Sequence, residues 1–335
     1  MNLRHSLLAL ALTSVALPAV AQEVNVYSHR QPELIQPLVD AFTAETGVKV
    51  NVAFVDKGMA ERLIAEGTRS PADLVLTVDI ARLKQIVDAG VTQPVQSEIL
   101  DSNIPESMRD LNDQWFGLTT RARIVYASKE RVADGEVTTY EDLASDKWKG
   151  RICIRSGLND YNVALVAAMI AHHGEDYTRT WLEAVKDNLA RKPEGGDRDQ
   201  VKAIAAGQCD IGIGNTYYIG QMWEDPEQRP AAETVRIIFP TFEGDGAHLN
   251  VSGMAMTKSA PNKENALKFM EWLSGDEAQR IYAETNHEFP AKPGVAKSDL
   301  VASWGEFTPD SKPLSEIADL RPAAVKLVEE VNFDG

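Results

Sequence analysis

The stretch CDIGIGNTYY, from Cys209 to Tyr218, indicates how this chain folds. Asp210–Gly214 alternates apolar residues with glycine, which is typical of a short buried strand that another backbone approaches closely. Asn215 and Thr216 follow as a helix-capping pair, so the strand is predicted to run directly into a helix. Open α/β sheets bind ligands where strands deliver polar side chains to helix N-termini. The two tyrosines that follow are therefore candidates for binding, although an isolated Tyr-Tyr pair is more often ordinary half-buried packing.

The same order of strand, polar turn and helix recurs along the chain. Glu23–Ser28 alternates like a strand, and Gln31–Phe42 then has helical spacing. Arg151–Arg155 is predicted to be a strand that a Ser-Gly turn connects to a helix near Asp160. Strands that alternate with amphipathic helices in this way predict an α/β fold with a mainly parallel, doubly wound sheet.

Two extended segments are candidates for crossings between two lobes. Thr119–Arg123 and Pro240–Ala247 both have polar or glycine residues at their centres, and a hinge needs only a few residues that absorb a backbone change. A chain of 335 residues is long enough for two substantial cores. The predicted division is a signal peptide at 1–21, an N-terminal lobe at 22–123 and 248–297, and a C-terminal lobe at 124–247 and 298–335.

The first 21 residues have the pattern of a cleavable secretory signal peptide. Arg4 and His5 precede an apolar run at Leu7–Leu17, and the small residues Ala19–Ala21 precede the expected cleavage. The run is shorter than a transmembrane helix, no cysteine for a lipid anchor follows it, and no later segment has the length of a span. We therefore expect a soluble protein that is exported to the periplasm and does not insert into a membrane.

The net charge and the two cysteines limit the ligands and partners that this chain is expected to bind. The formal net charge of −16 argues against nucleic acid or an anionic membrane as a partner, and it is compatible with a cationic ligand. Cys153 and Cys209 both lie in the exported part, where a disulfide between them is the default expectation. Their separation argues against a cysteine metal site.

Several blocks of sequence resemble one known family along almost the whole exported chain. They are VNVYSHRQPELIQPLVDAFTAETGVKVNV from Val24, RSPADLVLTVDIARL from Arg69, DQWFGLTTRARIVY from Asp113, EDLASDKWKGRICIRSGLNDYN from Glu141, GNTYY from Gly214 and NVSGMAMTKSAPNKENALKFMEWL from Asn250. In these blocks the chain resembles periplasmic ferric-iron-binding proteins, the solute-binding subunits of iron(III) ABC transporters. The resemblance implies a two-lobed periplasmic-binding-protein fold and a monomeric carrier rather than an enzyme. It also implies an inner-membrane permease with its ATPase as partners.

The resemblance implies that Tyr161, Tyr217 and Tyr218 bind ferric iron. Fe³⁺ is a small, hard cation that prefers anionic oxygen ligands. A free tyrosine has a pKa of about 10, but a trivalent ion in contact with it stabilises the phenolate and displaces the proton. The tyrosines follow the strands that hold Cys153 and Cys209, so a disulfide between neighbouring strands would bring the three phenols together.

The front of the chain departs from one branch of this family. That branch has a histidine in the first strand-to-helix turn and a carboxylate further on, whereas this chain has Gln31 and Lys57 in those regions. His29 is two residues away from the histidine position, and we do not expect it to bind iron. The chain resembles instead the branch that completes the coordination with a small anion such as carbonate or bicarbonate.

An exogenous anion would give two arginines a function. Arg30 and Arg121 are the candidates, because a guanidinium group matches a carbonate or carboxylate with two parallel hydrogen bonds. Arg121 interrupts an otherwise apolar strand, and Arg30 lies in a turn that leads into a helix. The alternative for either residue is a salt-bridged surface side chain. Further candidates around the anion are Ser156, Gly157 and Asn215, with His29, Gln31 and Arg198 as secondary candidates.

Two other functions stay open on the same fold. A carrier of an organic or inorganic anion would use the helix N-termini and the arginines, but it would leave the three tyrosines without a joint purpose. A secreted two-lobed enzyme is disfavoured, since no nucleophile–base or acid–base constellation is recognisable. His172 and His173 are not expected to share a metal, because adjacent residues on a helix point about 100° apart.

Overall fold

The computed structural model describes residues 22–335, so the predicted signal peptide at 1–21 lies outside the described residues. Over this range strands and helices alternate, as predicted for an α/β fold. The described part of the chain contains ten strands: β1 (Glu23–Ser28), β2 (Lys49–Phe54), β3 (Leu74–Thr77), β4 (Thr92–Gln93), β5 (Phe116–Ser128), β6 (Ile152–Cys153), β7 (Ile211–Asn215), β8 (Val235–Ile238), β9 (Leu249–Thr257) and β10 (Phe289–Pro290).

The helices flank these strands. Residues 22–335 contain fourteen α-helices: α1 (Pro32–Thr46), α2 (Met59–Glu66), α3 (Ile80–Asp88), α4 (Glu98–Asn103), α5 (Asp160–His173), α6 (Glu175–Asp187), α7 (Asp197–Ala205), α8 (Thr216–Glu224), α9 (Arg229–Ala232), α10 (Lys263–Leu273), α11 (Asp276–Thr285), α12 (Asp299–Ser303), α13 (Leu314–Asp319) and α14 (Arg321–Glu330). Short 3₁₀ turns lie at Gly67–Arg69, Glu106–Met108, Glu141–Ala144 and Asp146–Trp148. Among the helices of this range, none combines the length and the apolar character that crossing a bilayer requires.

The sheet is mixed in its strand directions. Its order is β2-β1-β3-β9-β5-β7-β6, with β4 beside β9 and with β8 and β10 beside β5. β1 pairs in parallel with β2 and β3, and β6 pairs in parallel with β7. β5 and β9 run antiparallel to their neighbours, and they connect the two parallel groups.

The long strand β5 changes partner at its centre. Up to Ala122 it pairs with β9, where Ala122 lies opposite Leu249. From Arg123 onward it pairs with β7, where Arg123 lies opposite Asn215. The change falls inside Thr119–Arg123, the first segment predicted to cross between lobes, so this strand belongs to both halves of the sheet.

Each half of the sheet packs its own hydrophobic core. One core contains Phe42 and Phe269, and the other contains Trp148 and Trp181, all buried. α13 lies between the halves, because it packs against both α3 and α5. We propose that the lobes are those predicted, 22–123 with 248–297 and 124–247 with 298–335, and that α13 is shared between them.

Candidate metal centre

Tyr217 and Tyr218 lie in the first turn of α8, directly after β7. β7 is buried along its whole length, and its glycines allow neighbouring groups to approach. A side-chain carbon at Gly214 would lie 2.3 Å from the ring of Tyr126, whose hydroxyl donates a 2.6 Å hydrogen bond to the carbonyl oxygen of Asn215. These contacts fix the end of the strand and therefore the direction in which the two tyrosines leave the sheet.

Tyr161 lies at the same edge of the sheet, in the first turn of α5. The side chain of Asn159 caps this helix and accepts a 3.2 Å hydrogen bond from the backbone N–H of Tyr161. β6 and β7 are parallel neighbours, and the predicted disulfide between Cys153 and Cys209 is present beside them. Because α5 and α8 start next to each other, the hydroxyl oxygens of Tyr161 and Tyr217 lie 3.3 Å apart.

Burial and neighbouring phenols raise the pKa of both Tyr217 and Tyr218. The rings of Tyr217 and Tyr218 are 4.2 Å apart between centroids. Burial raises the pKa of Tyr217 well above its usual value, Tyr161 and Tyr218 raise it further, and Arg121 lowers it. Burial raises the pKa of Tyr218 to about 12, with further contributions from Tyr161 and Asp197. Three phenols this close cannot all ionise at neutral pH unless a cation compensates their charge.

One cavity of about 190 Å³ is lined by all three tyrosines. Four of the other predicted binding residues also line it, namely Arg30, Arg121, His29 and Gln31. The remaining predicted residues, Ser156, Gly157, Asn215 and Arg198, lie outside its lining. The lining includes residues that the sequence did not indicate, among them Asp56, Arg82, Arg155, Asp160 and Glu288.

Arg30 and Arg121 share a buried carboxylate. Glu288 accepts hydrogen bonds from Arg30 at 3.0 Å, from Arg121 at 3.2 Å and from the hydroxyl of Thr119 at 2.6 Å. The hydroxyl of Ser252 accepts from both guanidinium groups. Burial alone would raise the pKa of Glu288, but the two arginines hold it below its usual value. Neither arginine is therefore a solvated surface side chain.

This cluster leaves one positive charge in excess beside the tyrosines, since two guanidinium groups face one carboxylate. The guanidinium carbon of Arg121 lies 5.9 Å from the ring centroid of Tyr217. Arg123 and Arg155 lie 6.0 Å and 5.8 Å from the ring of Tyr161. Nearby cations favour the charged form of a phenol, so the arrangement favours negative charge in the cavity.

Asp197 accepts hydrogen bonds from three groups that lie next to the tyrosines. Its carboxylate accepts from Arg123 at 2.6 Å, from Arg155 at 3.1 Å and from the backbone N–H of Asn215 at 2.8 Å. The side-chain oxygen of Asn215 accepts from Arg123 at 3.1 Å, and its amide nitrogen is buried without a partner among residues 22–335. Asn215 therefore holds the end of β7, and its contact with an anion stays a prediction.

Ser156 and Gly157, which were predicted to bind the anion, bond a carboxylate of the chain itself. The hydroxyl of Ser156 donates to Asp334 at 2.5 Å, and the backbone N–H of Gly157 donates to the same carboxylate at 2.7 Å. A side-chain carbon at Gly157 would lie 2.7 Å from the ring of Phe333, so the glycine allows this segment to pack closely. A carboxylate from the chain itself occupies the donors that the sequence pattern assigned to an exogenous anion.

The three secondary candidates lie in different environments. His29 is buried at the edge of the cavity, where burial and the nearby Arg82 lower its pKa to about 4. Gln31 is exposed at the cavity mouth. Arg198 lies on the other side of Tyr218, 4.9 Å from its ring centroid, and donates a hydrogen bond to Gln221. Arg198 therefore contacts a candidate iron-binding side chain rather than the cavity.

A larger cavity of about 590 Å³ adjoins the first one and shares its lining at His29, Asp56, Arg82, Arg155, Asn159 and Asp160. Arg82 on α3 donates to Asp160 on α5 at 2.6 Å, and Arg321 donates to the other oxygen of that carboxylate at 2.6 Å. Burial alone would raise the pKa of Asp160, but Arg82 and Arg321 hold it below its usual value. This group links the two halves of the molecule next to Tyr161.

Comparisons with known proteins give close relatives over nearly the whole chain. Iron uptake protein A1 of Synechocystis is 44% identical over 322 residues, which cover 94% of this chain and 89% of that protein. The structure of an apo ferric ion-binding protein A from Pasteurella haemolytica is 53% identical, covers 94% of this chain and 99% of the other, and has a TM-score of 0.91. The Trichodesmium protein IdiA (FutA), solved in complex with iron and citrate, is 42% identical, with coverages of 93% and 99% and a TM-score of 0.87.

These comparisons confirm both the resemblance found in the sequence and the two-lobed α/β fold that it implied. The pattern that defines bacterial extracellular solute-binding proteins matches residues 37–309. With that match and relatives of this identity, the chain belongs to the family of bacterial extracellular solute-binding proteins.

Proposed function

We propose that this protein binds ferric iron through the phenolate oxygens of Tyr161, Tyr217 and Tyr218 and carries it to an ABC importer. The observation that carries the proposal is the convergence of three phenols on one cavity, with two hydroxyl oxygens 3.3 Å apart. The names of the relatives support it, since they are an iron uptake protein, a ferric ion-binding protein and a protein solved with iron.

The chemistry of the site supports a trivalent cation. Three phenolates carry three negative charges, which neutralise Fe³⁺, and hard anionic oxygen is the donor that this ion prefers. Burial raises the pKa of Tyr217 and Tyr218, so without a cation both stay protonated at neutral pH. Iron binding therefore requires release of the phenol protons, and acid should weaken binding.

The excess positive charge of the Arg30–Arg121–Glu288 cluster supports a small anion as a second ligand of the iron. Carbonate or bicarbonate has the size and the planar oxygens that a guanidinium group binds with two hydrogen bonds. Both arginines line the tyrosine cavity, so an anion held by them would lie beside the metal. Glu288 already accepts hydrogen bonds from both guanidinium groups, so the anion would bind to their remaining N–H donors.

We also propose a periplasmic location and delivery to an inner-membrane permease that works with its ATPase. The family is described as extracellular, which agrees with the predicted signal peptide. The carrier is proposed to be monomeric, with closure of its lobes around the ligand. An enzymatic role is set aside, because the family and the named relatives are binding and uptake proteins.

A carrier of an anionic solute is the second candidate, because Arg82, Arg155 and Arg321 line the larger cavity. This function would use the arginines but not the phenols. The iron content of protein purified after exposure to ferric citrate, compared with its content of bound organic anion, distinguishes the two candidates.

The test of the metal centre is the phenolate-to-iron charge-transfer absorption of protein loaded with ferric iron in bicarbonate buffer. Tyr217→Phe and Tyr218→Phe should each lose most of the visible band, and the double variant should lose it completely. Tyr177→Phe is the matched control, since Tyr177 is exposed on α6 and does not line the tyrosine cavity. A double variant that keeps the wild-type band would end the assignment.

A further inference from the structure

A second group of metal-binding side chains lies at the other end of the helix that carries Tyr161. His172 is in the last turn of α5, eleven residues after Tyr161, which corresponds to about 17 Å along the helix axis. One donor atom each from His172, Asp245 and Asp310 lie within 4.8 Å of one another. These residues come from three separate chain segments, and none of them lines the tyrosine cavity.

The side chains of His172 and Asp310 are buried, whereas Asp245 is half-buried. The Nε2 atom of His172 lies 3.0 Å from Asp310 Oδ1, and the two side chains are only 7% and 3% exposed. The ring of His172 is stacked on Phe242 with centroids 4.1 Å apart. The second oxygen of Asp310 is buried and has no hydrogen-bond partner within residues 22–335.

The backbone holds the two aspartates next to each other. Asp310 donates its N–H to the carbonyl oxygen of Ala247 at 2.9 Å. Asp245 accepts from the backbone N–H of Ser311 at 2.9 Å and from that of Gly246 at 2.7 Å. Two carboxylates fixed this close repel each other when both are ionised, and a divalent cation would match their charge.

We propose that His172, Asp245 and Asp310 form a second metal site, which takes a divalent transition ion of the Zn²⁺ class. One imidazole nitrogen and two carboxylate oxygens are donors that Zn²⁺ accepts, and water would complete a four-coordinate shell. Ca²⁺ fits less well, because it prefers oxygen donors throughout. Such an ion would tie the end of α5 to the segment that leads into β9 and to the segment before α13, independently of ligand binding in the cleft.

Calorimetric titration with ZnCl₂ tests this site. The protein used carries Tyr161→Phe, Tyr217→Phe and Tyr218→Phe, so that zinc cannot bind the three phenols that line the tyrosine cavity. We expect one Zn²⁺ per chain, a raised melting temperature with Zn²⁺, and no binding of Ca²⁺. His172→Asn and Asp310→Asn, made in the same background, should each weaken Zn²⁺ binding at least about 100-fold.

His173→Asn is the matched control, because His173 is adjacent in sequence but bonds Glu141 and is not part of the group. It should bind Zn²⁺ like its parent. Asp245→Asn serves as a further variant if either of the other two substitutions disturbs folding by circular dichroism. Absence of zinc binding in the parent protein, or unchanged affinity in His172→Asn, would overturn the proposal and would leave the iron site untouched.

Discussion

A guanidinium nitrogen of Arg82 lies 2.6 Å from a carboxylate oxygen of Asp160, which is the residue just before Tyr161. The two residues belong to opposite halves of the molecule. Arg82 comes from α3, whereas Asp160 begins α5. The ion pair therefore joins a helix of the proposed N-terminal lobe to the helix that presents a proposed iron ligand. Its strength should influence how readily the cleft opens.

Arg82→Met should speed the release of iron. A partly exposed ion pair contributes up to about 1 kcal/mol, which corresponds to about a fivefold change in rate. The measurement is the loss of the charge-transfer band when a competing chelator is added. Arg62→Met is the control, because Arg62 pairs with Glu66 on the same helix, α2, and this pair does not join the two halves. Equal release rates for Arg82→Met and the control would contradict a role in closure.

Glu288→Gln should destabilise the protein strongly. The substitution leaves Arg30 and Arg121 buried without their shared carboxylate, and removing one partner of a buried pair costs about 3–5 kcal/mol. The free energy of unfolding is measured by urea denaturation. Glu284→Gln, at an exposed glutamate paired with exposed Arg280, should change it by less than about 1 kcal/mol. Similar values for both variants would show that the cluster does not stabilise the fold.

Reduction of the disulfide should lower both stability and iron affinity. Cys153 and Cys209 close a loop with a sequence separation of 56, for which loop closure predicts about 4 kcal/mol. The same bond holds β6 and β7 together, and the starts of α5 and α8 depend on that alignment. The chain has two cysteines, so this is the one disulfide that dithiothreitol can reduce; because dithiothreitol also reduces ferric iron, it is removed under nitrogen before iron is added. In the Cys153→Ser/Cys209→Ser protein, the reductant should change neither the melting temperature nor the iron affinity.

His248 should make the protein sensitive to mild acid. Burial, with Arg123 and His172 nearby, lowers its pKa to about 3, and neither ring nitrogen has a hydrogen-bond partner among the described residues. An unfolded histidine titrates at about 6.5, so the unfolded state binds more protons between these values. This contribution to stability is complete above pH 6.5 and falls by about 1.4 kcal/mol for each pH unit below it.

His248→Leu should therefore be close to the wild type at pH 7 and more stable by about 2 kcal/mol at pH 5. Urea denaturation at several pH values gives the slopes. Phe242→Leu is the control, since it alters the same core without removing a titrating group, and it should lower stability at every pH equally. Parallel curves for His248→Leu and the wild type would contradict the prediction.

Local patterns in the sequence predicted most elements of the fold. β1, β7 and α5 lie within a few residues of their predicted bounds, because strand alternation, helix spacing and capping residues are encoded over short stretches. The tyrosines could be proposed as ligands for the same reason, because each follows a strand that its own neighbours in sequence define. The mixed strand directions were not predicted, since pairing between β5 and β9 depends on residues more than a hundred positions apart.

Contacts between distant residues account for what the sequence did not indicate. Glu288 lies 258 residues after Arg30, and no periodic pattern connects them. Ser156 and Gly157 have the pattern of an anion-binding turn, but Asp334 supplies the anion from the end of the chain. The spacing of His172 and His173 predicted that they do not share a metal, but it gave no information on partners from other segments.

Ala122 is the single residue between two guanidinium groups on β5, with Arg121 bonded to Glu288 on one side and Arg123 bonded to Asp197 on the other. A small bend of the strand at this alanine would rotate one arginine relative to the other, and so shift the electric field at the phenols. The affinity for the ligand and the angle between the lobes would then change together. Substitutions at Ala122 would therefore offer a way to change the strength of binding without altering the three tyrosines proposed as iron ligands.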